Sequence, residues 1–354
     1  MLLNLGDLQA QLSQFEAAKQ SYPEAITALN SSLQIAPNDI AALNIKGCVL
    51  LKLGDLQALQ AQLSQFEAAK QSYSEAITAF NSTLQIAPND IDPLTNKGTA
   101  LLRLGQLQAG LSEFEAAKQS YSEAIAAFNS ALLIAPNFIM ALTNKGSVLL
   151  SLGTLQAGLS EFEAAKQSYS EAIAALNSAL LIVPDDIAAL NNKGLALQCL
   201  GDLQAKLSEF EAAKLSYSDA IATYNSALLI APDDIAALNN KGIALGSLGD
   251  LQAKLSEFEA AKQSYSDAIA ASNSALLIAP DYINALNNKG NELQSLGDLQ
   301  EQLFERQEAL KNWQEALEMF NRSLAIAPND DWVRNRRDAL QESLDNLGED
   351  TVSS

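Results

Sequence analysis

Apolar positions recur along the chain in two alternating stripes. Between Asp185 and Pro232, Leu190, Gly194, Leu197 and Leu200 fall three or four residues apart, the spacing of one helix face. Asp185 and Asp186 follow Pro184, where a carboxylate accepts the unpaired N–H groups of a helix start and meets the positive end of its dipole. Gly201-Asp202 is the expected stop. A second series follows: Leu203, Leu207, Phe210, Tyr217, Ile221, Tyr224 and Leu228. It keeps a heptad-like phase, with only Lys214 in an apolar slot, until Pro232. The unbroken phase predicts a short helix A and a long helix B from Leu203 to Ile230, about 42 Å at 1.5 Å per residue. A competing reading breaks helix B near Ser216, because Ser216-Tyr217-Ser218-Asp219 resembles a capping box and the first copy carries Pro23.

The pattern is a repeat. Glycines that follow a lysine fall at Gly47, Gly98, Gly146, Gly194, Gly242 and Gly290, one interval of 51 residues and then four of 48. Prolines Pro37, Pro88, Pro136, Pro184, Pro232, Pro280 and Pro328 keep the same clock. Three additional residues near Leu59-Gln60-Ala61 account for the longer interval. Residues 1–346 therefore divide into a truncated first unit opening on Leu2–Gly6, six units of 48–51 residues, and a polar capping helix from about 329. In that last helix Arg334, Arg336, Arg337 and Asp338 take the apolar and glycine positions of helix A. Residues 347–354 read as a flexible tail.

Composition narrows the function classes. The chain has no histidine, which removes the commonest general base and metal ligand. Net charge is -20, with no basic stripe to hold nucleic acid or an anionic membrane, so neither is expected as a partner. No apolar run approaches the roughly 18 residues of a membrane span. The opening residues lack a basic n-region and read as no signal peptide. Cys48 and Cys199, the two cysteines, suit free thiols in a reducing compartment and a cytoplasmic setting. Paired acids such as Glu209/Glu211 recur in every comparable unit, which fits a solvated face or helix cap better than catalysis. No catalytic residue, metal site or cofactor is expected, and the chain reads as non-enzymatic.

Leu190, Gly194, Leu197, Ala220, Tyr224, Ala227 and Pro232 resemble the signature of tetratricopeptide repeats. The resemblance covers nearly the whole chain, and one departure is systematic: this unit is 14 residues longer than that family's 34. It implies an all-α open solenoid of stacked antiparallel helix pairs that binds a protein or an extended peptide on its A-helix side. The stretch added after Gly201-Asp202 is expected to lengthen helix B.

Two rows on helix A are then the candidate site. Asn96, Asn144, Asn192, Asn240 and Asn288 precede the lysine–glycine pair, with Ile45 breaking the row in the first copy. The resemblance implies that such asparagines hydrogen-bond a bound backbone; bonding within their own hairpin is the alternative. Thr99, Ser147, Leu195, Ile243 and Asn291 vary just after the glycine, and Arg103 varies one turn later, so these would tune side-chain preference. Lys52 and Arg103 would favour acidic residues there. A second reading is a structural array whose long B helices pair with another copy, as a homo-oligomer, or with a helical partner.

Overall fold

The computed structural model describes residues 15–59 and 63–352. The chain divides into two compact units. The first, Met1–Pro184, contains α1 (Phe15–Ile35), α2 (Ile40–Ala58), α3 (Leu63–Ile86), α4 (Ile91–Gly110), α5 (Phe114–Ile134), α6 (Ile139–Gly158) and α7 (Phe162–Ile182). The second, Asp185–Ser354, contains α8 (Ile187–Lys206), α9 (Phe210–Ile230), α10 (Ile235–Lys254), α11 (Phe258–Ile278), α12 (Ile283–Gln302), α13 (Arg306–Ile326) and α14 (Asp331–Val352). No strand occurs among the described residues. Even-numbered helices are A helices and odd-numbered ones B helices. The A-helix remnant expected at Leu2–Gly6 lies outside the described residues, and α14 runs past residue 346.

Within each unit an A helix packs along the B helix that follows it and, less extensively, on the B helix before it, wherever the unit contains them. A helices of successive hairpins also touch one another. Each unit is therefore an all-α stack of antiparallel pairs with its A helices closely spaced.

The expected division into a short A and a long B helix is wrong. α8 has 20 residues and α9 has 21. The A helix runs straight through Gly201-Asp202, and the chain reverses at Leu207–Glu209, so the additional residues lengthen both helices. The alternative break near Ser216 is also absent, since α9 is continuous there. Even Pro23 lies inside an unbroken α1.

The side chains explain why. Gly201 is a packing site within the helix: a Cβ placed on it would lie 2.8 Å from Cε1 of Tyr217. The Tyr217 hydroxyl donates to Asp202 Oδ1 at 2.8 Å, and Ser216 Oγ donates to Gln204 Oε1 at 2.7 Å. The supposed stop and the supposed cap are thus two halves of one hairpin lock. It recurs as Tyr73–Asp55 and Ser72–Gln57, as Tyr265–Asp250 and Ser264–Gln252, and with Trp313 Nε1 donating to Asp298. The earlier glycine of the A helix takes a second row of side chains; Gly98 faces Phe128, Gly146 faces Leu176, Gly194 faces Tyr224 and Gly290 faces Phe320.

The reversal itself uses no glycine. Ser208 sits at φ 63°, in the left-handed region, while Glu209 N–H donates to Gln204 O at 2.8 Å and Ser208 N–H to Ala205 O. These are the two closing bonds of a Schellman turn. The cap predicted at the α8 start forms, Asp186 Oδ1 accepting from Ala189 N–H at 3.0 Å. Asp234 Oδ1 accepts likewise from Ala236 N–H at 2.9 Å, whereas Phe138 and Tyr282 give α6 and α12 no side-chain cap.

Candidate functional site

The close A helices bring the two sequence-derived rows side by side. Asn96, Asn144, Asn192, Asn240 and Asn288 are all half-buried on their A helices, as are Thr99, Ser147, Leu195, Ile243 and Asn291. Several asparagines do not bond within their own hairpin. Asn96 Nδ2 lies 3.5 Å from Cys48 Sγ, Asn144 Nδ2 is 3.4 Å from Thr99 Oγ1, and Asn288 Nδ2 donates to Asn239 Oδ1 at 2.9 Å. Each reaches back to the preceding A helix, not to its own hairpin. Thr99 belongs to the variable row, and Cys48 holds the same place after the glycine of its own A helix. The rows predicted as separate are coupled, so the residue after one glycine sets the environment of the next unit's asparagine.

The Asn144–Thr99 contact is long for a hydrogen bond, and the Asn96 contact is made to a thiol, a weak acceptor, so both are weak. Each engages one N–H of an amide that has two, plus a carbonyl oxygen. Within each compact unit such amides recur half-buried at one repeat spacing.

Arg103 is exposed, but its charge is already engaged. Nε lies 3.6 Å from Asp55 Oδ1, and Nη1 donates to Gln106 Oε1 at 3.3 Å. Beside this pair opens a concavity of about 500 Å³ lined by Asp55, Ala58, Leu59, Tyr73, Arg103, Gln106 and Leu107. The acid preference expected around Arg103 is thus offset by the carboxylate it faces.

Sequence reasoning passed over the first asparagine of each Asn-Asn pair. Asn191 Nδ2 donates to Asp234 Oδ2, the next unit's helix cap, at 2.8 Å. It also read the lysine in the apolar slot and the glutamate pairs as unrelated. Lys214 Nζ lies 2.6 Å from Glu257 Oε1 of the next hairpin and 3.2 Å from Glu211 of its own helix. Lys70–Glu113, Lys118–Glu161 and Lys262–Glu305 repeat the rung. A charge interrupting a heptad series at a constant place was the available signal. The rungs tie successive B helices together, which accounts for the repeated acids without catalysis.

Among the described residues, no group of three or more His, Cys, Asp or Glu side chains could hold a metal ion, and no helix is long and apolar enough to cross a membrane.

The family model for the tetratricopeptide repeat matches residues 95–171, the span from the start of the Asn96 helix into α7. The matched stretch is more than one full unit, and the B helices up to Ile278 repeat its B helix closely, whereas residues 306–352 diverge. Residues 95–171 thus match the tetratricopeptide repeat, and the remaining helix pairs share its all-α hairpin fold. Among solved structures, BtubC (BKLC) from P. vanneervenii is similar with a TM-score of 0.52 at 16% identity, over 72% of this chain and 90% of that one. A tetratricopeptide repeat protein from Parabacteroides merdae ATCC 43184 gives a TM-score of 0.47 at 14% identity, over 96% and 97%. YrrB, a tetratricopeptide-repeat protein with an unusual peptide-binding site, gives 0.36 at 16% identity, over 73% and 98%. At such identities the likeness is one of fold. No curated protein matches the sequence significantly.

Proposed function

We propose that the chain is a non-enzymatic interaction scaffold that binds an extended peptide or a protein segment along the A-helix face of its tetratricopeptide repeats. The reading rests on the asparagine row, half-buried amides at one repeat spacing whose own contacts, to a thiol at Asn96 and across 3.4 Å at Asn144, are weak enough to yield to a better partner. Backbone recognition by these amides would be independent of ligand sequence, and the adjacent Thr99, Ser147, Leu195, Ile243 and Asn291 would supply preference. Thiols at Cys48 and Cys199 that are not joined in a disulfide suit a reducing, cytoplasmic setting. Peptides selected by display on the full chain test this. Asn144→Ala/Asn240→Ala is expected to keep its helicity and to lose about 0.5–1.5 kcal/mol of affinity for each hydrogen bond removed. Unchanged binding in that variant overturns the assignment to this face.

One observation favours a second reading. Leu133 and Leu181 in the first unit, and Leu229 and Leu277 in the second, occupy one position near the B-helix C-termini and are each at least 84% exposed. Self-association through these leucines predicts a sedimentation coefficient that rises with concentration and stops rising in Leu229→Gln/Leu277→Gln.

A further inference from the structure

One hairpin departs from the packing rule of the others. In the first unit, a large side chain on the B helix meets a small one on the next A helix: Phe80 packs with Ala100, and Phe128 with Val148. In the second unit the α11 position holds Ser272 and the α12 position holds Glu292, so small and large have changed places. The preceding A helix makes room. Gly242 stands where a Cβ would lie 3.3 Å from Glu292 Oε1 and 3.3 Å from Ser272 Oγ. Gly246, one turn on, replaces the Leu or Gln of the other units and would bring a Cβ to 3.7 Å from Glu292 Cγ. The glutamate side chain therefore lies across the space opened by two glycines and a lost aromatic ring. It is 5% exposed and accepts a hydrogen bond from Ser272 Oγ at 2.9 Å.

We propose that Glu292 is a protonation-controlled latch: as a neutral acid it holds α12 against α10 and α11, and as a carboxylate it loosens that contact. The charged groups around it do not stabilise its ionised form well. From α10 comes Asp250, itself an anion, whose Oδ1 accepts from the Tyr265 hydroxyl of α11 at 2.7 Å and which Arg336 of α14 faces. From α11 comes only the neutral Ser272. Lys289, one turn away on α12, is held 2.6 Å from Glu315 of α13. Burial, reinforced by Asp250 and opposed by Ser272 and Lys289, pushes the Glu292 carboxyl up from its ordinary 4.5 to about 7. The direction fixes the sign. A raised folded-state value means that the latch contributes fully below about 4.5 and weakens as pH rises, its contribution being lost above about 7. One turn before Glu292, the Asn288–Asn239 bond joins the same two A helices, so opening the latch also releases an asparagine of the candidate row.

Hydrogen exchange of the full chain, corrected for the intrinsic rates, tests the latch. Between pH 5.5 and 8.5 the protection of α12 amides is expected to fall by about 30-fold, the ratio that values of 4.5 and about 7 imply. Glu292→Gln, a neutral isostere, should show no such fall. Ser272→Tyr/Glu292→Ala, which restores the Tyr224 and Ala244 arrangement, should also be insensitive to pH and serves if the single variant does not fold. Equal protection of the unaltered chain at both pH values, or a fall that persists in either variant, overturns the proposal.

Discussion

Tyr217 lays its ring on Gly201, so close that a Cβ there would meet Cε1 at 2.8 Å. Alanine is the better helix former by about 1 kcal/mol, yet here overpacking wins. Gly201→Ala is expected to destabilise its hairpin by about 1–2 kcal/mol. Gly158, the last residue of α6, has nothing within 4 Å of such a Cβ. Gly158→Ala should therefore stabilise, by about 0.5–1 kcal/mol. Urea midpoints of the two variants moving in opposite directions would bear out the packing role; movement in the same direction would count against it.

That glycine also shows why the sequence misplaced the helix boundary. A glycine followed by Asp reads as a C-terminal cap when only local rules apply, and helix periodicity alone cannot reveal a ring arriving from the partner helix. The true end carries no glycine in this unit, and its left-handed residue is Ser208. A hint existed, because Gly110 and Gly158 terminate the A helices of two other units. The repeat, the pairing of helices and the Asp caps were legible, since each is written in spacing or local chemistry. The contacts of Asn96 and Asn144 were not, because they join residues 48 and 45 positions apart, on successive A helices. The exchange of Ser272 and Glu292 was visible only as two unrelated departures.

The left-handed residues give the second prediction. Ser112, Ser160, Ser208, Ser256 and Phe304 all have φ near 62°. A side chain in this region costs roughly 1–2 kcal/mol, part of which glycine returns as unfolded-state entropy. Ser208→Gly should raise stability by about 0.5–1 kcal/mol. Phe304→Gly should do the same, as its ring is 95% exposed and loses little packing. A lower midpoint in both would contradict the turn geometry.

Pro23 supplies the third. It lies within α1, where α3, α5, α7, α9 and α11 carry serine, as at Ser74 and Ser122, and α13 carries Gln314. An interior proline removes one helix hydrogen bond and crowds the preceding turn. Pro23→Ser should strengthen α1 by about 3 kcal/mol, read as slower amide exchange between residues 15 and 35. Unchanged exchange would mean that tertiary packing, not the backbone, sets the stability of that helix.

Alkaline titration provides the fourth. Burial pushes the Tyr121 phenol to about 12 and raises those of Tyr73, Tyr217, Tyr224 and Tyr265 further, with Asp55, Asp202 and Asp250 reinforcing burial at Tyr73, Tyr217 and Tyr265. Raised values in the folded state mean that the native chain retains protons the unfolded chain releases above about 10. Stability is therefore expected to hold below pH 10 and to fall beyond it. Tyrosinate absorbance and loss of helical circular dichroism should rise together; early ionisation with helicity intact would contradict the burial.

The assignment of binding to the A-helix face is tested most directly by site-specific photo-cross-linking. A benzophenone side chain is placed at Ser147 or Ile243 on A helices, and at Leu133 or Leu229 on B helices, and each chain is irradiated with display-selected peptides. Cross-links at Ser147 and Ile243 only are expected. Peptide adducts at Leu133 and Leu229 instead, or chain-to-chain adducts there, would place the functional surface on the B helices.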